Sequence, residues 1–228
     1  MKTIMHNKIM LLVFLFMLCV LQGGCGIISI FSTPTRYEKK VPAEYKMSDL
    51  KGQKILVLVK QPYWLDAEVN LRVSLTESLH EQLIKNVDVS PDRLIGYDQL
   101  SRYRARKPDF SLLKAADVGK DLGADAVLFL SIAEVRLDRM PDSNVYSGYL
   151  SAQASLIHTA SGTHLWPEQS REKSIKVGFE IEEKGLKAAL SRLSRATAHC
   201  TVRYLYDCKV AYFKINDDRS DPAWDYWE

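Results

Sequence analysis

The stretch Gly123-Ala124-Asp125-Ala126-Val127-Leu128-Phe129-Leu130-Ser131 decides the fold, because it joins the end of a helix to the start of a strand. Residues 126–137 are apolar at first and then alternate into Glu134 and Arg136, which is typical of a long β-strand. Gly123 is well placed to end the preceding helix in the left-handed conformation. We therefore predict a helix that delivers a long strand directly after Gly123.

The residues before this stretch predict one buried strand and amphipathic helices. Residues 54–60 are an aliphatic run flanked by lysines, short enough to be a central strand buried on both faces. Residues 67–86 predict an amphipathic helix, since a leucine recurs every four positions. Residues 87–89 are predicted as a short strand, and further helix follows to Leu122. The recurring leucines are Leu71, Leu75, Leu79 and Leu83.

The residues after this stretch predict antiparallel strands and a last helix. Residues 146–158 alternate throughout, residues 160–163 form a hairpin turn, and a returning strand starts at His164. Residues 174–179 extend that strand, and residues 182–203 carry one apolar stripe of a helix. The predicted fold class is α/β, with helices packed on a mixed β-sheet in the order β-α-β-α-β-β-β-α. We expect a single domain over residues 53–215.

Three features of this region are found together in a known group of proteins. They are the Gly-Ala-Asp-Ala start of the strand at residues 123–126, the alternating strand after it, and Ser161-Gly162-Thr163-His164-Leu165-Trp166. Over residues 52–205 the chain resembles the envelope proteins built on the CsgG, PelC, LpoB and TolB amino-terminal type of domain. The resemblance implies a non-catalytic lipoprotein that serves secretion, polysaccharide export or cell-wall synthesis, often as a homo-oligomer. It supplies no catalytic residues.

The amino-terminal segment has the pattern of a secretory signal. Lys2, His6 and Lys8 precede an uninterrupted apolar run over residues 9–21. As a helix, this run would span only about 20 Å, short of the roughly 30 Å of a bilayer's hydrocarbon core. A signal peptide over residues 1–24 therefore fits better than a membrane-spanning helix.

Cys25 is the predicted site of lipid attachment. Gly23, Gly24 and Cys25 match the lipobox of bacterial lipoproteins, whereas Gln22 stands where that motif has Leu. Cleavage by the general signal peptidase, which would release a soluble product, therefore stays open as an alternative. The lipobox resemblance implies a thioether diacylglycerol on Cys25 and an amine-linked acyl chain such as palmitate, and two or three chains give stable anchoring.

The residue after Cys25 suggests where the anchored protein resides. Gly26 stands in place of the Asp that retains enteric-type lipoproteins, which implies the periplasmic face of the outer membrane. Residues 25–52 contain Pro34, Pro42 and a charged stretch without a sustained period, so we predict a lipid-anchored tether. Without residues 1–24 the chain has 29 basic and 28 acidic side chains, a net charge of +1. This balance argues against a nucleic-acid partner.

Once residues 1–24 and their Cys19 are removed, Cys200 and Cys208 are the two cysteines that remain besides Cys25. An even pair in an oxidising compartment predicts a disulfide. On one continuous helix the two residues would lie about 12 Å apart, too far to bond, so a bridge requires the helix to end near residues 203–206. The alternative is that both are small, buried, apolar residues.

The sequence contains no recognisable catalytic or metal-binding motif. His158 and His164 flank one turn. With Ser161-Gly162 at its tip, we expect His164 to pair with Thr159 and to share its face. His158 then lies on the opposite face of the hairpin, because side chains alternate along a strand. We therefore predict no catalytic residue, no metal and no cofactor. The basic residues within 93–107 are interpreted as a solvated helical face, with an anionic-polymer or lipid-headgroup patch as the alternative.

Residues 216–228 form an acidic tail that ends in aromatic side chains. Trp224, Tyr226 and Trp227 are candidate anchors for a groove on a partner or on a neighbouring copy; the alternative is a tail that folds back on its own domain or is disordered. The predicted function is a membrane-anchored, non-catalytic binding or assembly component whose partners are other envelope proteins or copies of itself. The alternative function is an envelope hydrolase that acts on cell-wall or polysaccharide material.

Overall fold

A mixed β-sheet organises the residues that this computed structural model describes, namely 39–50, 52–65, 70–141, 145–169, 171–182 and 185–213. Its central strand runs parallel to both of its neighbours, and the pairings after that are antiparallel. The described strands are β1 (Lys40–Val41), β2 (Ile55–Lys60), β3 (Leu94–Ile95), β4 (Ala126–Arg139), β5 (Val145–His158), β6 (His164–Trp166), β7 (Lys173–Glu182) and β8 (Cys208–Lys209).

The strands of the main sheet lie in the order β3-β2-β4-β5, and β6 and β7 both pair with the remaining edge of β5. Five α-helices are described: α1 (Arg72–Val87), α2 (Tyr97–Arg106), α3 (Ala115–Asp121), α4 (Leu186–Val202) and α5 (Val210–Phe213). Single 3-10 turns lie at Met47–Leu50, Tyr63–Leu65, Pro91–Arg93 and Phe110–Leu112. The predicted fold class, α/β with helices on a mixed sheet, is confirmed.

One face of the sheet, called the first face, is covered by α1 and α4. The side chains of Val57, Leu128 and Leu156 alternate towards this face and pack on the leucine stripe of α1 and on Leu193 of α4. All of them are fully buried. Removing each such side chain from water stabilises the fold by about 2 kcal/mol, so this core is the main source of stability. The leucine stripe is Leu71, Leu75, Leu79 and Leu83.

The opposite face, called the second face, is covered over β2 and β4 by α2 and α3. Leu56, Leu58 and Val127 pack there against Leu100 and Val118. The approach is close at Gly119, where an added Cβ would lie 2.4 Å from Val127 Cγ2 and 2.6 Å from Thr159 Cγ2. Only a residue without a side chain lets α3 sit this near to the sheet.

Along the second half of β4, the second face of the sheet is exposed to solvent. The register with β5 shifts between Ile132 and Glu134, which makes Ala133 the extra residue of a β-bulge. The shift inverts the alternation, so that Glu134 and Arg136 point away from the first-face core. They form an ion pair of 2.9 Å, and the Arg136 guanidinium lies 4.9 Å from the centroid of the Tyr149 ring.

The segment before β2 packs on the domain. β1 pairs antiparallel with β8, and the backbone N–H of Glu44 donates to the carbonyl of Tyr204 over 2.9 Å. Trp166 Nε1 donates to Glu44 Oε2 over 2.9 Å, and Met47 and Leu50 are buried in the first-face core. The described domain therefore begins at Lys39 rather than at the predicted residue 53, because these side chains complete its core.

The position of the second predicted strand also differs from the sequence prediction. Residues 87–89 are not a strand: α1 continues to Val87, and Asp88 follows in the left-handed conformation with φ 63°. The predicted second strand is instead Leu94–Ile95. Gly123 has φ 73°, which confirms the left-handed end of the helix before β4. Within the described ranges, no helix has the length and apolar character needed to cross a membrane.

Candidate functional site

A groove of about 350 Å³ lies on the second face, where β2 ends. Its walls are the end of β2, the start of α1, and the connection from α2 to α3. The chain leaves β2 towards β3 through α1 on one face and returns to β4 through α2 and α3 on the other. Ligands of α/β proteins bind at such a reversal, outside the carboxyl ends of the strands.

The floor of the groove is apolar. Phe129 and Ile157 project from neighbouring strands of the sheet, and Phe110 and Leu113 approach from the segment between α2 and α3. Leu112 lies between two residues that line the groove and is 84% exposed, so apolar surface continues outside it. An apolar floor with a few polar groups around it is the usual composition of a binding site.

The rim of the groove is cationic. Lys60 and Lys114 are exposed there, and the Arg104 guanidinium lies 5.5 Å from the centroid of the Phe110 ring. Arg72 is buried at the start of α1 and also lines the groove. Glu172 is the carboxylate among the described lining residues. The lining therefore carries four cationic side chains and one anionic side chain, a net charge of +3 with His164 neutral.

Gln61 joins the end of β2 to the start of α1. Its Oε1 accepts a hydrogen bond from the backbone N–H of Leu71 over 2.9 Å, and its carbonyl accepts one from Arg72 Nη2 over 3.3 Å. Gln61 and Arg72 are 6% and 8% exposed, so these bonds are protected from water. They hold the Arg72 guanidinium in a fixed position at one end of the groove.

The wall formed by α2 and α3 is held by Tyr103. Its hydroxyl donates to Asp121 Oδ2 over 2.6 Å, and Lys107 Nζ lies 3.7 Å from the same oxygen. Desolvation and this hydrogen bond raise the pKa of Tyr103 to about 12, and the hydrogen bond lowers the pKa of Asp121. The pair thus keeps one charge at neutral pH and ties the end of α3 to α2.

Cys200 and Cys208 are both buried, and their sulfur atoms are not bonded to each other in the structure. α4 ends at Val202, as a bridge between them would require. The Cys208 thiol donates to the Tyr206 hydroxyl over 3.4 Å. Burial raises the pKa of Cys208. This arrangement favours the alternative interpretation, two small buried side chains, and the disulfide stays a prediction.

The hairpin histidines lie on opposite faces, as predicted, although the register differs. His164 pairs with Ile157, not with Thr159, and shares its face, so the neighbouring His158 points the other way. His158 Nδ1 lies 3.0 Å from Ser161 Oγ within the turn, and His164 lines the groove. In the part of the chain that the structure describes, no three residues of the types His, Cys, Asp and Glu are grouped to hold a metal ion.

The remaining predicted site residues lie outside the described residues. These are Cys25, the proposed lipid attachment site, and the tail residues Trp224, Tyr226 and Trp227. Of the basic segment over residues 93–107, Arg104 lines the groove, whereas Arg102 and Arg106 are exposed and do not. Sequence reasoning missed Lys60, Arg72 and Lys114, because a groove built from distant segments leaves no local pattern.

Comparisons with known proteins gave no match to a family model and none to a curated protein. Among solved structures, the chain is similar to the lipoprotein GNA1162 from Neisseria meningitidis, with 20% identity over 63% of this chain and 94% of that one, and a TM-score of 0.39. It is similar to a PelC dodecamer from Paraburkholderia phytofirmans, with 14% identity, 74% and 97% coverage, and a TM-score of 0.42.

A third solved structure is the hypothetical protein CT253 from Chlamydia trachomatis, with 13% identity over 55% of this chain and 72% of that one, and a TM-score of 0.30. A lipoprotein and PelC are therefore among the proteins that this chain is similar to at low identity.

Proposed function

We propose that this chain is a lipid-anchored component of the cell envelope that works by binding and assembly rather than by catalysis. The observation that carries the proposal is Cys25, preceded by two glycines and by an apolar run too short to span a bilayer. In this proposal Cys25 carries the acyl chains, residues 1–24 are removed, and the domain works at the periplasmic face of the outer membrane.

The groove supports a binding role. Hydrolysis of a glycosidic bond usually needs two carboxyl groups on either side of the bond, and Glu172 is the one carboxylate among the described lining residues. An apolar floor under a cationic rim instead suits an anionic and aromatic ligand. Other envelope proteins are the proposed partners, and the resemblance found in the sequence makes a homo-oligomer part of the same proposal.

The test is metabolic labelling with an alkyne-bearing fatty acid, followed by fractionation of the membranes. The native chain should take up the label and sediment with the outer membrane, and Cys25→Ser should lose the label and stay in the soluble fraction. Cys19→Ala is the matched control, because it removes another thiol of the same segment and leaves the apolar run intact. Its labelling should equal that of the native chain.

Either of two results would contradict the proposal that Cys25 anchors the chain. If Cys25→Ser remains in the membrane fraction, or if the native chain carries no label, the anchoring proposal fails. Mass spectrometry of the mature amino terminus then distinguishes cleavage by the general signal peptidase from retention of the apolar run.

A further inference from the structure

We infer that the acidic-aromatic tail, residues 216–228, docks into the groove on the second face of its own chain. The inference goes beyond the proposed function and does not depend on the lipid anchor. It rests on charge, on apolar surface and on where the described chain ends.

The tail and the groove carry opposite net charges. Residues 216–228 contain five acidic side chains and one basic side chain, a net charge of −4. The groove lining has a net charge of +3, from Lys60, Arg72, Arg104 and Lys114 against Glu172. The rest of the chain from residue 25 onwards has a net charge of +2, so each of these two places carries more net charge than all of that remainder. Complementary fields of this kind favour one docking orientation and exclude competing ones.

The tail and the groove also both contain aromatic and apolar side chains next to their charged ones. The tail carries Trp224, Tyr226 and Trp227 next to Asp225 and Glu228, so aromatic and acidic groups alternate within five residues. The groove has the matching arrangement, with Phe129 and Ile157 in its floor and lysines at its rim. Each buried aromatic side chain removes roughly 150–250 Å² of surface from water, which makes such residues the usual anchors of an interface.

The described chain ends at Phe213, on a side of the domain from which the groove can be reached. The Phe213 ring lies 5.4 Å from that of Tyr204, whose ring centroid lies 4.3 Å from Lys173 Nζ. Glu172, the residue directly before Lys173, lines the groove. Lys173 pairs with Ala154, so its side chain lies on the first face of the sheet. From there the tail reaches the groove on the second face by passing the edge of the sheet.

The length of the tail is sufficient for this path. Trp224 is 11 positions after Phe213, and 11 residues span at most about 38 Å when fully extended. A tail tethered at this distance meets its own groove at a high effective concentration, in the millimolar range for a short flexible link. This favours the groove of the same chain over that of a neighbouring copy.

The experiment is photo-crosslinking of the full chain with p-benzoylphenylalanine in place of Trp227. After illumination, denaturing electrophoresis separates products within one chain from products between chains, and mass spectrometry identifies the crosslinked peptides. The expected result is a product of monomer mass in which the probe joins residues 58–61 or 104–118. No crosslink to these residues overturns the inference, and so does a groove crosslink found only at twice the monomer mass, which assigns the groove to a second copy.

Charge reversal provides the matched pair of variants. Lys114→Glu should lower the yield of the groove crosslink about fivefold, since an attractive contact becomes repulsive. Arg106→Glu makes the same charge change at an exposed residue near the groove that does not line it, and the yield should stay within about twofold. Lys114 is exposed at the amino end of α3, so an acid there should not unfold the chain.

The melting temperatures of both variants provide the check on folding. Equal crosslink yields in Lys114→Glu and in the native chain would overturn the charge pairing. Loss of the lipid label in the Cys25 experiment would leave the crosslink unchanged, so the two proposals can fail separately.

Discussion

The two faces of the sheet are built from the same strands, but they are covered differently. On the first face, α1 and α4 are 16 and 17 residues long, and the side chains between them and the sheet are fully buried. On the second face, α2 and α3 are 10 and 7 residues long, and Phe110, Leu113 and Phe129 are only half-buried. Long helices close one face, and short helices leave a groove on the other.

This difference separates stability from binding. A closed core gains the most from burial but offers no surface to a partner, whereas a partly covered face retains apolar surface that a partner can bury. The cationic side chains at the rim of the groove place positive charge beside that apolar surface. The second face, which contributes less to the stability of the fold, is therefore the face suited to binding a partner.

We expect the largest change in the free energy of unfolding from substitutions in β4, where two neighbouring residues point to opposite faces. Leu128→Ala, on the first face, should lower the free energy of unfolding by about 3 kcal/mol, because it leaves a cavity in a closed core. Phe129→Ala, on the second face, should cost only about 1–2 kcal/mol although it removes the larger side chain, because water can enter the groove. Urea denaturation followed by circular dichroism measures both, and equal losses would contradict the comparison.

A second test measures how the stability of the fold depends on pH through His199, a buried residue of α4. Burial lowers the pKa of His199 to about 4, Arg203 adds to the lowering, and the contact with the Tyr212 carbonyl opposes it. The unfolded chain therefore binds a proton near pH 6.5 that the folded chain binds only near pH 4. Stability from this group is complete above pH 6.5 and is lost as the pH falls towards 4, by about 3 kcal/mol at most.

His199→Gln isolates this contribution, because glutamine can still donate to the Tyr212 carbonyl but does not titrate in this range. The difference in unfolding free energy between the native chain and the variant should change with pH between 6.5 and 4 and stay constant above pH 7. A constant difference throughout would show that His199 is not held neutral by burial.

We expect the smallest change in stability from a substitution at Gly119, where α3 lies close to the second face of the sheet. Gly119→Ala brings a Cβ within 2.4 Å of Val127 Cγ2, which should push α3 outwards and cost about 1–2 kcal/mol after the gain in helix propensity. Gly96→Ala is the control, since an added Cβ there meets nothing within 4 Å. Thermal unfolding measures both, and a stabilised Gly119→Ala would mean that α3 is not packed this closely.

Local patterns predicted the elements of the fold, and they failed where distant segments meet. The leucine stripe of α1, the strand after Gly123 and the alternation of β5 each depend on neighbours in the sequence, so their types were predicted correctly. The docking of residues 39–50 was missed, because Met47 and Leu50 are buried against the far end of the chain and show no period of their own. Most of the groove was missed for the same reason, because its rim combines residues from β2, α1, α2 and the amino end of α3.

The pairing of β1 with β8 has a mechanical consequence. Lys40 and Val41 are held by two residues of β8, and the carbonyl of Lys39 accepts a hydrogen bond from the N–H of Val210 over 2.9 Å. A pull transmitted along the chain from the amino-terminal side reaches this small pair first, and the six-stranded sheet only after Glu44 and Met47 have been detached. Under such a pull we therefore expect the two-residue pair to separate before any strand of the main sheet is detached.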